Sequence, residues 1–147
     1  MGFLLEELEN GAKLASVAFQ QIGRAETDQL RQRIVDQFAD GKDEWPIWED
    51  MDATAIQDDD AWRWIAEFDE GPVFLVFNKH RERHAVRFDN SADLIRALDE
   101  SARFEFYICD PAVTYLFCFN DHRYLVAAGR AKPWLQSRID RAAQKGT

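Results

Sequence analysis

Three histidines, two cysteines and a dense run of carboxylates are the side chains of this chain with reactive or ligating chemistry. A hydrolytic metal centre needs about three protein ligands drawn from His, Cys, Asp and Glu. The available set is His122 with Glu105 or Asp121 and one of His80 and His84. No HExxH, paired CxxC or Cys/His spacing accompanies them, so exposed turn histidines are the expectation, with no metal and no other cofactor. A small metal-dependent hydrolase built on His122, Glu105 and a second histidine stays as the enzymatic alternative. Cys118 and His122 would make a thiol nucleophile and its base. Cys118 and Cys109 both sit in apolar, strand-like runs, however, and read as buried reduced thiols. Glu105 and Asp110 form a carboxylate pair whose use depends on their separation. GxSxG, P-loop and GxGxxG patterns are absent, and none of the seven glycines builds a phosphate-cradling run. No residue is assigned as catalytic.

The carboxylates carry a stronger signal. Between Asp43 and Glu70 stand eleven acids and one base, Arg63, together with Trp45, Trp48, Trp62 and Trp64. The whole chain has a net charge of −9, so this stretch holds all of the net acidity. One reading is a solvated acidic face that serves only solubility. The other is a docking surface for a basic partner. Clustered carboxylates steer a cationic partner, and tryptophan supplies the apolar anchor that charges lack. On that reading the contact residues are Trp48, Glu49, Asp50, Asp52, Asp58, Asp59, Asp60, Trp62, Asp69 and Glu70. A calcium loop does not fit, because Asp58-Asp59-Asp60 does not alternate ligands and no terminal Glu follows in register.

Length and composition set the frame for both readings. The chain has 147 residues, 46% hydrophobic and 13% aromatic, enough for one domain with a proper core. Its acidity argues against nucleic acid as a partner, since phosphate neutralisation needs clustered Lys and Arg. The N-terminal MGFLLEELENGAKLASVAFQQIG carries Glu6, Glu7 and Glu9 and lacks the basic start and unbroken apolar run of a secretory signal. No run approaches the ~18 apolar residues of a membrane span, so a cytoplasmic protein with no membrane partner is expected.

The elements that must position these residues follow from periodicity. Phe3 to Ile22 reads as one helix, or two broken at Asn10-Gly11, with Gly23 as the stop. Thr27 is a candidate cap for a helix over Asp28–Ala39. Asp43 to Asp58 reads as irregular, and Asp58-Asp59-Asp60 precede a short helix with Trp62, Ile65, Ala66 and Phe68. VFLVFN and Arg83–Phe88 make a first hairpin, and Ser91 caps a helix with Leu94, Ile95 and Leu98. Phe104–Cys109 is a strand, Tyr115–Phe119 and Tyr124–Ala128 a second hairpin, and Lys132–Ala143 a closing helix. The expected fold is α+β: N-terminal helices packed on one face of a small antiparallel sheet of about five strands in two hairpins, with one inserted and one C-terminal helix. Residues 1–147 read as a single domain, helical and acidic over 1–70 and sheet-containing over 71–147.

The segment FEFYICDPAVTYLFCFNDHRYLVAAGRAKPWL, Phe104 to Leu135, joins an EFY strand, a YLxxFNxHxxL hairpin, a GxA turn and a WL helix. This pattern resembles small bacterial immunity-type proteins of polymorphic toxin systems, and WPIWEDM, Trp45 to Met51, is similar to a WPxWE element of that group. The resemblance covers about a third of the chain. It implies a cytoplasmic protein that binds and neutralises a cognate toxin domain by occlusion, with no catalytic residue. The acidic, tryptophan-containing surface would then meet a basic domain such as a nuclease. Tyr107, Tyr115, Phe117, Phe119 and Trp134 read as core. Asn120, His122 and Arg123 are the polar exceptions, either turn architecture or secondary partner contacts. An adaptor using the same surface for a basic housekeeping partner is the other non-enzymatic alternative. Homo-oligomerisation stays open.

Overall fold

A computed structural model describes residues 3–145. The first helix, α1 (Phe3–Ala15), is continuous through Asn10-Gly11 and buries Leu4, Leu5, Leu8 and Ala12. Gly11 does not break it. It is the point where α1 meets a later helix closely, since a Cβ there would lie 2.6 Å from the Ala97 carbonyl and closer still to Ser101 Oγ. The chain then forms a two-residue strand, β1 (Gln20–Gln21), where a continued helix was expected. Helix α2 (Arg24–Phe38) begins before Thr27, with Gly23 as its N-cap rather than the preceding helix's stop. Thr27 sits inside the helix, where its hydroxyl accepts from Ala85 N at 3.1 Å. After a 3-10 turn at Trp48–Asp50 comes β2 (Ala53–Gln57), inside the stretch expected to be irregular. A 3-10 turn at Ala61–Trp64 continues into α3 (Ile65–Phe68).

Strands β3 (Val73–Val76) and β4 (Val86–Phe88) form the first hairpin. Helix α4 (Ser91–Asp99) is capped by Asn90, not Ser91: the Asn90 side chain accepts from Asp93 N at 2.8 Å. Then follow β5 (Phe106–Cys109), β6 (Tyr115–Phe119), β7 (Tyr124–Gly129) and α5 (Ala131–Lys145).

The fold is α+β, but the sheet has seven antiparallel strands rather than about five, in the order β1-β4-β3-β5-β6-β7-β2. The two additional strands are its edges. Both faces of the sheet are covered, which corrects the expected single-faced packing. Phe106, Ile108, Tyr115, Phe117, Phe119, Leu125 and Ala127 point to α1, α3, α4 and α5. Tyr107, Cys109, Leu116, Cys118, Val126 and Ala128 point the other way, to Leu30, Ile34 and Val35 of α2 and to Trp45 and Ile47. Burial on both faces explains why FYIC and YLFCF are unbroken apolar runs instead of alternating ones.

Candidate functional site

The acidic stretch is laid along the longer edge of the sheet. Strand β2 pairs with β7, from Ala53↔Ala128 to Gln57↔Tyr124, and among the described residues its other side carries no strand. Glu49, Asp50 and Asp52 precede its first residue, and Asp58, Asp59 and Asp60 follow its last. The turn at Asp58 holds itself: Oδ1 of Asp58 accepts from Asp60 N at 2.8 Å.

Several of these carboxylates have internal partners. Asp59 pairs with Arg123 at 3.1 Å, Asp60 with Arg63 at 3.8 Å and Glu67 with Arg138 at 3.5 Å. Asp43 is bound by Lys79 and accepts from Trp45 Nε1 at 2.7 Å. Asp52 meets Lys132 at 2.6 Å, yet its side chain stays 92% exposed. Asp69 is structural: it accepts from the Tyr115 hydroxyl at 2.9 Å and from Gly71 N at 2.9 Å, with Arg130 3.8 Å away. Glu44, Glu49, Asp50, Asp58 and Glu70 have no cationic partner among the described residues. The sequence-assigned contact set therefore divides, with Asp69 turned inward and Glu49, Asp50, Asp52, Asp58, Asp59, Asp60 and Glu70 at or near the surface.

The tryptophans divide as well. Trp62 is 7% exposed, donates Nε1 to the Asp59 carbonyl at 3.1 Å and lies under the Arg63 guanidinium at 4.5 Å, so it is a packed residue and not an exposed anchor. Trp48 is half-buried; its Nε1 donates to Glu105 Oε1 at 3.0 Å and its ring stands 6.5 Å from that of His122. Burial raises the Glu105 carboxyl above its ordinary value, against the hydrogen bonds from Asn78 and Trp48. Trp48, Glu105 and His122 thus come together although they are distant in sequence.

The hairpin residues serve the turn. Asn120 is buried, and its Oδ1 accepts from His122 N at 3.0 Å and Tyr124 N at 3.1 Å. His122 and Arg123 are exposed, the latter at φ 65°. The other chemical candidates do not converge. His84 Nδ1 lies 3.1 Å from the Ile22 carbonyl and His80 is exposed beside Asp43 and Lys79. Among the described residues no three His, Cys, Asp or Glu side chains gather as a metal-ion group. Glu105 and Asp110 stand at opposite ends of β5. Cys109 and Cys118 are free and buried on adjacent strands, and burial pushes the Cys109 thiol up to about 12 and that of Cys118 well above its ordinary value. No helix among the described residues is long and apolar enough to cross a membrane.

Sequence reasoning did not find a cleft of about 320 Å³ beside Asp59, walled by Trp62, Phe104, Phe106 and Phe119 and rimmed by Arg63, Arg103 and Arg123. Its parts come from three separate segments, and the arginines carried no pattern. Comparison with family models, with curated proteins and with solved structures matches the chain to none of them.

Proposed function

We propose that this chain is a cytoplasmic immunity-type protein that binds a basic toxin domain and blocks it by occlusion, without chemistry of its own. The observation that carries the reading is the placement of charge. Three of the five carboxylates of the acidic stretch that lack a cationic partner among the described residues flank the open edge of the sheet, with Glu49 and Asp50 before β2 and Asp58 after it. Solvent-facing carboxylates without a cationic partner favour a complementary cationic surface, and their field raises the association rate. Trp48, half-buried and held by Glu105, is the apolar contact beside them. The resemblance of Trp45–Met51 and Phe104–Leu135 to immunity-type proteins supports the same reading and gives the partner its class.

Affinity capture from cells of the source organism, with the partner then expressed alone and together with this chain, tests the proposal. A basic partner that arrests growth when expressed alone, and is tolerated when this chain is co-expressed, is the expected result. A partner that is harmless on its own would replace the immunity reading with that of an adaptor.

A further inference from the structure

Strand β2 presents a row of free backbone groups. Asp58 N donates to the Arg123 carbonyl at 3.0 Å, continuing the register in which Ile56 faces Leu125 and Thr54 faces Ala127. Hydrogen bonding alternates along an antiparallel pair. Thr54 and Ile56 therefore direct their N–H and C=O groups to β7, while Ala53, Ala55 and Gln57 direct theirs outward. No other strand among the described residues pairs with that side. The five residues Ala53–Gln57 carry no charge, no proline and no bulge that would blunt the edge, so nothing within the strand stops another chain from adding to it.

The flanks decide which chain can add. A second copy pairing antiparallel about Ala55 would set Asp52 opposite Asp58 of the other copy, and Asp50 opposite Asp60, at both ends. In-register parallel pairing would set each acid beside itself. Like charges directly opposite are destabilising, so both arrangements of a homodimer are disfavoured. Asp52 and Asp58 are six residues apart, roughly 20 Å along the strand.

On the reading that the acidic stretch is the docking surface, we propose that β2 takes up an extended segment of the basic partner as an eighth strand. That segment has a neutral centre bounded by two cations six residues apart, one meeting Asp58 and the other meeting Asp52, whose carboxylate is paired with Lys132 yet stays 92% exposed and open to a second cation. The backbone row supplies the hydrogen bonds and the two carboxylates set the register.

The test titrates the isotopically labelled full chain with the capped peptide Lys-Thr-Val-Thr-Val-Thr-Lys and with its counterpart bearing Glu at both ends. The lysine peptide should move the amide signals of Ala53, Ala55 and Gln57, and the glutamate peptide should not. Ala55→Pro should weaken binding about tenfold or more, since proline fits an edge strand but removes an outward N–H. If that variant fails to fold, the two peptides on the native chain still decide the matter. Equal binding of both peptides, shifts mapping elsewhere, or no shifts would overturn the proposal. So would self-association of the chain that Ala55→Pro abolishes, which would make a second copy the occupant. A negative peptide result alongside a confirmed toxin partner removes only strand addition. A positive one with a harmless partner removes only the immunity reading.

Discussion

Neighbouring residues Asp69 and Glu70 carry the same charge and do different work. Asp69 accepts from the Tyr115 hydroxyl, buried in the core, and from Gly71 N. Asp69→Ala is expected to cost about 2 kcal/mol in denaturant unfolding, because a buried donor loses a charged acceptor, and to leave the association rate per folded molecule unchanged. Glu70 is exposed and unpaired, so Glu70→Lys should leave stability within about 0.5 kcal/mol and slow association with a basic partner. Glu105 gives a pH signature. Its carboxyl is raised above 4.5 in the folded chain, mainly by burial. The folded state then holds the proton more tightly than the unfolded one, so this residue's contribution to stability is present below 4.5 and is lost as pH rises through the raised value. Glu105→Gln keeps acceptor oxygen for Trp48 and has no proton to lose. The stability difference between variant and native chain should therefore grow in the variant's favour across that window, as measured by urea unfolding at successive pH values. A difference independent of pH would show that the half-buried Glu105 does not hold its proton as argued. None of these distinctions was legible in the sequence, where Asp69, Glu70 and Glu105 are three acidic residues with nothing beside them to show which is tied inward.

Elements differ in how plainly the sequence shows them. The two hairpins and the helices α4 and α5 follow from β-branched and aromatic runs, turn residues and helical periodicity. The edges β1 and β2 do not: Gln20–Gln21 has no apolar residue, and in Ala53–Gln57 only Ile56 packs into the main core. Edge strands bury little, so their sequences carry little of the alternation by which strands are recognised. The covering of both sheet faces was legible in principle, since FYIC and YLFCF are apolar without alternation. Gly11 is the reverse case, a residue whose type suggested a break but whose cause is packing. Gly11→Ala would drive a methyl group into the Ala97 carbonyl and Ser101, and should cost about 1–3 kcal/mol through separation of α1 from α4. Thermal unfolding would reveal it; a neutral or stabilising outcome, as expected for an ordinary exposed helical glycine, would contradict the close approach.

At the scale of the whole molecule, acidity and architecture belong to one arrangement. The chain's net charge of −9 is concentrated in residues 43–70. The fold places the central part of that stretch at the edge of a sheet whose faces are both occupied by helices and whose other edge is only two residues long. The concentration of charge was legible from the sequence alone. Its division into carboxylates tied down by Arg63, Arg123, Arg138, Lys79 and Lys132 and carboxylates left free was not, because those cations come mostly from distant positions. The most direct test of the acidic edge as docking surface is the association rate of the captured partner with the native chain and with the combined variant Glu49→Lys, Asp50→Lys, Asp58→Lys, read across a range of salt concentrations. These three side chains have no cation to release among the described residues, and Asp58→Lys gives up the bond from Asp60 N in a surface turn, so the fold should hold with a loss of about 1 kcal/mol, checked by thermal unfolding. At low salt the variant should associate about tenfold or more slowly, and the fall of the rate with added salt should vanish. The same rate and the same salt dependence in both proteins would contradict the assignment of this edge as the interface.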